Sequence, residues 1–201
     1  MIKEKSIEST IIFLKFLTKF QSIKRDLYAV GEERMENDAE HSYQLAMMGW
    51  FLNNELQLNL NNSRLIIYSL IHDLVEVHSG DTPVFTERTE LLKSKNDRER
   101  IALDRIKKEF NKFPELAVQI ESYSKMKDDE SKFIKIVDKI LPALNIYLDD
   151  FKTWQREKRN IAEWDLYITS KANIYPEVKD YILRIKNFII NKYKTQYGNV
   201  D

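Results

Sequence analysis

Four glycines and four prolines are spread over 201 residues, and this scarcity of turn formers restricts the available folds more than any other property. An antiparallel β-protein of this length needs a turn roughly every 8–12 residues, built mostly from Gly, Pro, Asn and Asp. The apolar residues instead recur at helical spacing along nearly the whole chain. Ile7, Ile11, Leu14 and Leu17 mark one helical face, and Leu45, Met48, Phe51 and Leu52 mark a second, in a helix starting near Ala39. Leu65, Ile66, Leu70, Ile71 and Leu74 mark a third, with Ser63 as its N-cap and Gly80 and Pro83 ending it. The stretch from Gln21 to Ala39, which contains Gly31, reads as irregular.

A long charged segment, Glu87 to Phe113, carries a thinner apolar face of Ile101, Ile106 and Phe110 before Pro114 interrupts it. Glu115 to Met126 reads as a short helix. Ser131 to Phe151 reads as a strong one, kinked by Pro142. Arg156 to Lys171 is a further candidate, and Pro176 opens a last helix through Tyr181, Ile182, Ile185, Phe188 and Ile189. The expectation is an all-α bundle of roughly seven to ten helices, a single domain over residues 1–201.

Composition removes several classes of function. The 32 basic and 32 acidic residues cancel, which argues against a broad electrostatic grip on a nucleic-acid polymer. No cysteine is present, so disulfides and Cys-ligated zinc or iron–sulfur centres are excluded. The N-terminal segment is broken by Glu8, Lys15 and Lys19 and has the pattern of neither a signal peptide nor a membrane span. A cytoplasmic protein that meets no membrane is the expectation.

One short run carries chemistry. His72-Asp73 lies in the apolar stretch Ser69-Leu-Ile-His-Asp-Leu-Val-Glu76, followed by Gly80-Asp81. On a helix Glu76 is four residues after His72 and three after Asp73, so all three share a face. Ionisable groups crowded into an apolar setting repel one another unless a cation compensates. His41 opens the helix near Ala39, and Asp138 interrupts the apolar run Phe133-Ile-Lys-Ile-Val-Asp-Lys-Ile-Leu141. A lone buried carboxylate there would cost several kcal/mol or take up a proton. Singly, each of these residues has an ordinary explanation: a hydrogen-bonded core histidine, an acid paired with lysine, a cap or loop acid. Their joint occurrence in these settings is what points to a metal. His78 falls off the shared face and reads as a rim histidine.

The ordered set His41, His72-Asp73 and Asp138 resembles the HD-domain metallophosphohydrolases. Arg34-Met-Glu-Asn-Asp-Ala-Glu-His-Ser42, with His72-Asp73-x-x-Glu76 and Gly80-Asp81, is similar to the bacterial 5′-deoxyribonucleotidase branch of that family. The resemblance implies that His41, His72, Asp73 and Asp138 hold one divalent ion, with Mn, Co, Fe, Mg or Zn all compatible with mixed nitrogen and oxygen ligands. It implies that Glu76 orients water or moves a proton, and that Asp81 assists the leaving oxygen or holds a sugar hydroxyl. Arg25 aligns with a family arginine that meets phosphate or sugar, and Arg34 is a second candidate for substrate binding. Where the family has a tryptophan beside that arginine, thought to exclude the ribose 2′-hydroxyl, this chain has Asp26. The metal-site core would span about residues 23–150, with the helices of 151–201 packed on it.

The presence of only three histidines disfavours a binuclear, histidine-rich phosphodiesterase site. The expectation is a phosphomonoesterase that acts on nucleoside 5′-monophosphates as small-molecule partners; a homodimer, common in the branch it resembles, is compatible with the sequence, whose aromatic spacing does not decide the assembly. A related hydrolase of another small phosphate ester is the alternative within the family. A non-catalytic nucleotide- or partner-binding module is the alternative outside enzymology, and Glu76 with Asp81 argues against it.

Overall fold

A computed structural model describes residues 5–80 and 89–198. Ten α-helices lie among the described residues: α1 (Lys5–Ser22), α2 (Asp38–Glu55), α3 (Asn62–Ile71), α4 (Glu76–Ser79), α5 (Thr89–Glu109), α6 (Pro114–Ser124), α7 (Asp129–Leu148), α8 (Lys152–Arg156), α9 (Ile161–Lys171) and α10 (Lys179–Tyr197). The all-α expectation holds. None of these helices is long and apolar enough to cross a membrane.

The segment read as irregular contains a small antiparallel hairpin, β1 (Lys24–Tyr28) with β2 (Met35–Asn37). Its strands are too short for alternation to stand out, which is why the sequence hides it. The hairpin delivers the chain to α2 through a capping box. Asn37 Oδ1 accepts from the backbone N–H groups of Ala39 and Glu40, and the Glu40 carboxylate accepts from Asn37 N–H at 3.0 Å. Such a cap contributes about 1 kcal/mol and sets the first turn, which carries Asp38 and His41.

Two faces differ from expectation. The apolar stripe Ile7, Ile11 and Leu14 of α1 is exposed, and the helix instead buries Phe16 and Phe20. The larger aromatic rings win the core because they remove more apolar surface from water. Helix α3 starts two residues earlier than expected, capped by Asn61 rather than Ser63. It also stops at Ile71 instead of continuing to Gly80. Beyond it the backbone tightens to bonds three residues apart, from Leu74 to Ile71, Glu76 to Asp73 and Val77 to Leu74. A tighter turn places residues three apart directly over one another, so Asp73 and Glu76 face the same way.

Helix α7 runs through the middle of the molecule, with Phe133, Ile134, Ile136, Val137, Ile140 and Leu141 buried. Its N-cap is Asp128, which accepts from the backbone N–H of Ser131 at 2.9 Å. The same carboxylate accepts from Tyr68 Oη at 2.7 Å and Arg64 Nη1 at 3.2 Å, tying α3 to the start of α7. Helix α2 closes on α7 at Gly49, where a Cβ atom would stand 2.7 Å from Ile134 Cδ1. Ile134 is fully buried and has nowhere easy to move. We expect Gly49→Ala to destabilise the fold by about 1–3 kcal/mol, the usual cost of overpacking, read as a lower urea midpoint with an unchanged m value. An unchanged midpoint would show that α2 and α7 can part without loss.

Candidate metal centre and cleft

The close approach of α2 and α7 brings His41, in the first turn of one helix, against Asp138, in the middle of the other. His41 Nε2 lies 3.1 Å from Asp138 Oδ1. His72, at the end of α3, places its Nε2 3.7 Å from the same oxygen and 2.8 Å from Asp73 Oδ2. The four residues that the sequence singles out as ligands therefore form one continuous cluster. Donor atoms of His41, His72 and Asp138 all lie within 4.8 Å of one another, as do those of Asp38, Asp73 and Glu76. Ligands held about 2.0–2.2 Å from a common ion stand roughly 3–4.5 Å apart, so the spacing suits a shared cation.

The imidazole of His72 makes the stronger case. Its Nδ1 lies 2.8 Å from the Ser69 carbonyl oxygen, which can only accept, so Nδ1 carries the hydrogen. The neutral ring then turns a lone pair on Nε2 toward two carboxylates. That nitrogen is buried and makes no hydrogen bond, for all its closeness to Asp73. A backbone carbonyl fixing one ring nitrogen while the other faces acids is the arrangement of a metal-binding histidine. The only other resolution is a second proton, and although burial opposes it, Asp73 and Asp138 do raise the pKa of His72. His41 differs: burial and the nearby Arg25 lower its pKa to about 4, so it stands neutral.

Charge balance leads the same way. Burial disfavours ionisation of Asp73 and Asp138, yet His72 beside the first and Lys139 beside the second hold both pKa values well below the usual carboxylate range. Asp38, Asp73, Glu76 and Asp138 crowd four carboxyl groups together, with Arg25 against the first two and Lys139 against the last, a donor set suited to a divalent ion.

Arg25 lies deeper than expected for a substrate contact. Its guanidinium meets Glu36 at 3.2 Å and both Asp38 and Asp73 at 3.4 Å. Burial opposes its charge, but Asp73, Asp138, Glu36 and Asp38 hold it protonated. Arg34 is not brought to the cluster; it sits at the surface between Glu32 and Glu40. Asp26 points away from the cluster and pairs with Arg156 at 2.9 Å. Asp81 lies outside the described residues.

Sequence reasoning passed over Asp38 and Glu36. Asp38 precedes His41 by three residues, and that spacing on α2 is the signal that marks it. Glu36 faces inward from β2, where burial pushes its pKa up to about 7 against the pull of Arg25; only knowledge of the hairpin reveals it. His78 stands where α4 meets α5, 3.1 Å from Glu109.

The cluster floors a cleft of about 600 Å³ between the His72–Glu76 turn, α5, the end of α6 and α7, a size suited to a small ligand. Lys95, Arg100, Lys107, Lys125, Lys135 and Lys139 line it. Most of them are engaged: Lys107 pairs with Glu121, Lys95 with Glu99 at 3.5 Å, and Lys139 with Asp138 at 2.7 Å. A separate hollow of about 470 Å³, walled by Phe13, Leu17, Phe20, Leu70 and Phe113, is apolar and offers no comparable chemistry.

A family model described as HD domain matches residues 17–179. The structure resembles that of a predicted metal-dependent phosphohydrolase from Magnetospirillum magnetotacticum MS-1, with a TM-score of 0.76 and 22% identity over 92% of this chain and 96% of the other. It also resembles a conserved hypothetical protein from Pyrococcus furiosus, with a TM-score of 0.60 and 21% identity over 90% of this chain and 99% of the other. No curated protein matches the sequence significantly.

Proposed function

The chain belongs to the HD-domain family, and from that premise we propose that it is a metal-dependent phosphohydrolase that cleaves nucleoside 5′-monophosphates to nucleoside and phosphate. One observation carries the proposal: a buried His-Asp cluster with an unsatisfied imidazole nitrogen floors a cation-lined cleft. The Magnetospirillum protein's description as a predicted metal-dependent phosphohydrolase supports the same chemistry.

In this proposal His41, His72, Asp73 and Asp138 hold the ion. Bound there, a divalent ion would supply Lewis acidity toward a phosphoryl oxygen and toward water. The protein's own groups do the rest. Glu76, stacked over Asp73 by the tight turn, takes a proton from the attacking water. Asp81 serves the leaving 5′-oxygen. Arg25, 3.4 Å from both, orients Asp38 and Asp73 from behind. Hydrolysis breaks the P–O5′ bond, joins water oxygen to phosphorus and returns a proton to the nucleoside.

Asp26, which stands where the family's tryptophan would exclude a ribose 2′-hydroxyl, turns outward to Arg156. Ribo- and deoxyribonucleotides should therefore both be hydrolysed, within about 10-fold of each other, the limit of modest pocket discrimination. The test is phosphate release by protein stripped with chelator and refilled with Mn²⁺, Co²⁺ or Mg²⁺, against paired ribo- and deoxyribonucleoside monophosphates. Metal-restored release is expected. Absence of release from every nucleotide, with any metal, would overturn the proposal.

A further inference from the structure

We propose that Lys135 and Tyr123 form the subsite that grips the phosphoryl oxygens of the substrate; the inference rests on the phosphohydrolase proposal above. Lys135 precedes Asp138 by three residues and Lys139 by four on α7, so all three project from one face into the same cleft. Among the described residues, no carboxylate oxygen lies within 4.0 Å of Lys135 Nζ. That separates it from Arg25, Lys95, Lys107 and Lys139, each already held by acids. Half-buried, it stands 5.3 Å from the centroid of the Tyr123 ring.

Tyr123, in the last turn of α6, is the second half of the argument. Its side chain is 3% exposed, and its hydroxyl is buried without a hydrogen-bond partner. Leaving such a group unsatisfied costs about 1–3 kcal/mol, so buried hydroxyls nearly always find an acceptor. The ring also packs edge-on to His72, with centroids 6.2 Å apart, which sets the phenol beside the metal ligands.

A phenol donor and an ammonium together select the ligand. A neutral sugar or base would satisfy the hydroxyl and leave the ammonium unmatched. A cation would be repelled. A phosphoryl group answers both, as an anion with several acceptor oxygens. The arginines do not compete for this role, because Arg25 is occupied by Glu36, Asp38 and Asp73, Arg100 pairs with Asp97 at 3.6 Å, and Arg34 stands outside the cleft.

The experiment measures inorganic phosphate binding to the metal-loaded full chain by titration calorimetry, alongside steady-state kinetics. Lys135→Met should weaken phosphate binding about 10–100-fold, the range for a lost charged hydrogen bond, and raise KM in parallel with metal content unchanged. Lys135→Arg should restore most of the affinity. Tyr123→Phe should weaken binding by about 3–10-fold. If Lys135→Met fails to fold, as judged by circular dichroism, Lys135→Gln carries the same expectation. Wild-type affinity in these Lys135 variants, or no phosphate binding by the wild type, would overturn the proposal. Phosphate binding that depends on Lys135 in a protein that hydrolyses no ester would instead leave the subsite standing and remove the hydrolase assignment.

Discussion

Asp138→Asn is expected to leave the chain folded and unable to retain a divalent ion. The amide keeps the shape of the carboxylate but removes the charge that two histidines and Lys139 share. Outer-shell partners of metal sites cost about 10–100-fold in affinity when removed, and a carboxylate that contacts the ion itself should exceed that. Metal content after dialysis, measured by mass spectrometry, should fall from one equivalent to background, and phosphate release should fall with it. The metal-free protein should also melt at lower temperature, because Lys139 loses a charge-assisted bond in a buried setting. A variant that keeps one equivalent of metal would remove Asp138 from the ligand set.

Glu76→Gln should do the opposite, keeping the metal and losing turnover. Glu76 is buried beside Asp38 and Asp73 but is not needed to complete a site of two imidazoles and two carboxylates. Its amide analogue cannot accept a proton, and loss of a positioned general base costs about 10²–10⁴-fold in rate. The change should fall on kcat, with KM nearly unchanged. Normal turnover in Glu76→Gln would assign the proton to another group. The pair of variants thus separates holding the ion from using it.

Much of this arrangement is legible in the sequence, for definite reasons. The four candidate ligands stand out because each interrupts an apolar helical run, where an ionisable group is costly. Helix α7 is equally plain, since its buried stripe is dense and Asp128 supplies a strong cap. The end of α3 is not legible, because His72 to Val75 keep helical spacing in sequence while their hydrogen bonds shorten by one residue. Glu36 is hidden by a three-residue strand. Lys135 is hidden for another reason: a lysine on an amphipathic helix ordinarily marks the solvent side, and only tertiary packing turns this one over Tyr123. The exposed stripe on α1 shows the converse, since apolar spacing defines a face but not which face the core chooses.

The Asp128 carboxylate has a mechanical consequence. By holding Tyr68 and Arg64 of α3 while capping α7, it riveted together the two helices that carry His72 and Asp138, and Gly49 seats α2 against the same frame. The opposite wall of the cleft is fastened differently. Helix α5 is anchored by buried Ala102 and Ile106 and by Phe110, edge-on to Phe13 and Phe16 of α1, while the ion pairs of His78 with Glu109 and Lys107 with Glu121 at its rim add only about 0–1 kcal/mol each. The floor of the cleft is thus aligned by directional hydrogen bonds, whereas its α5 wall is held by apolar packing, which has no preferred direction.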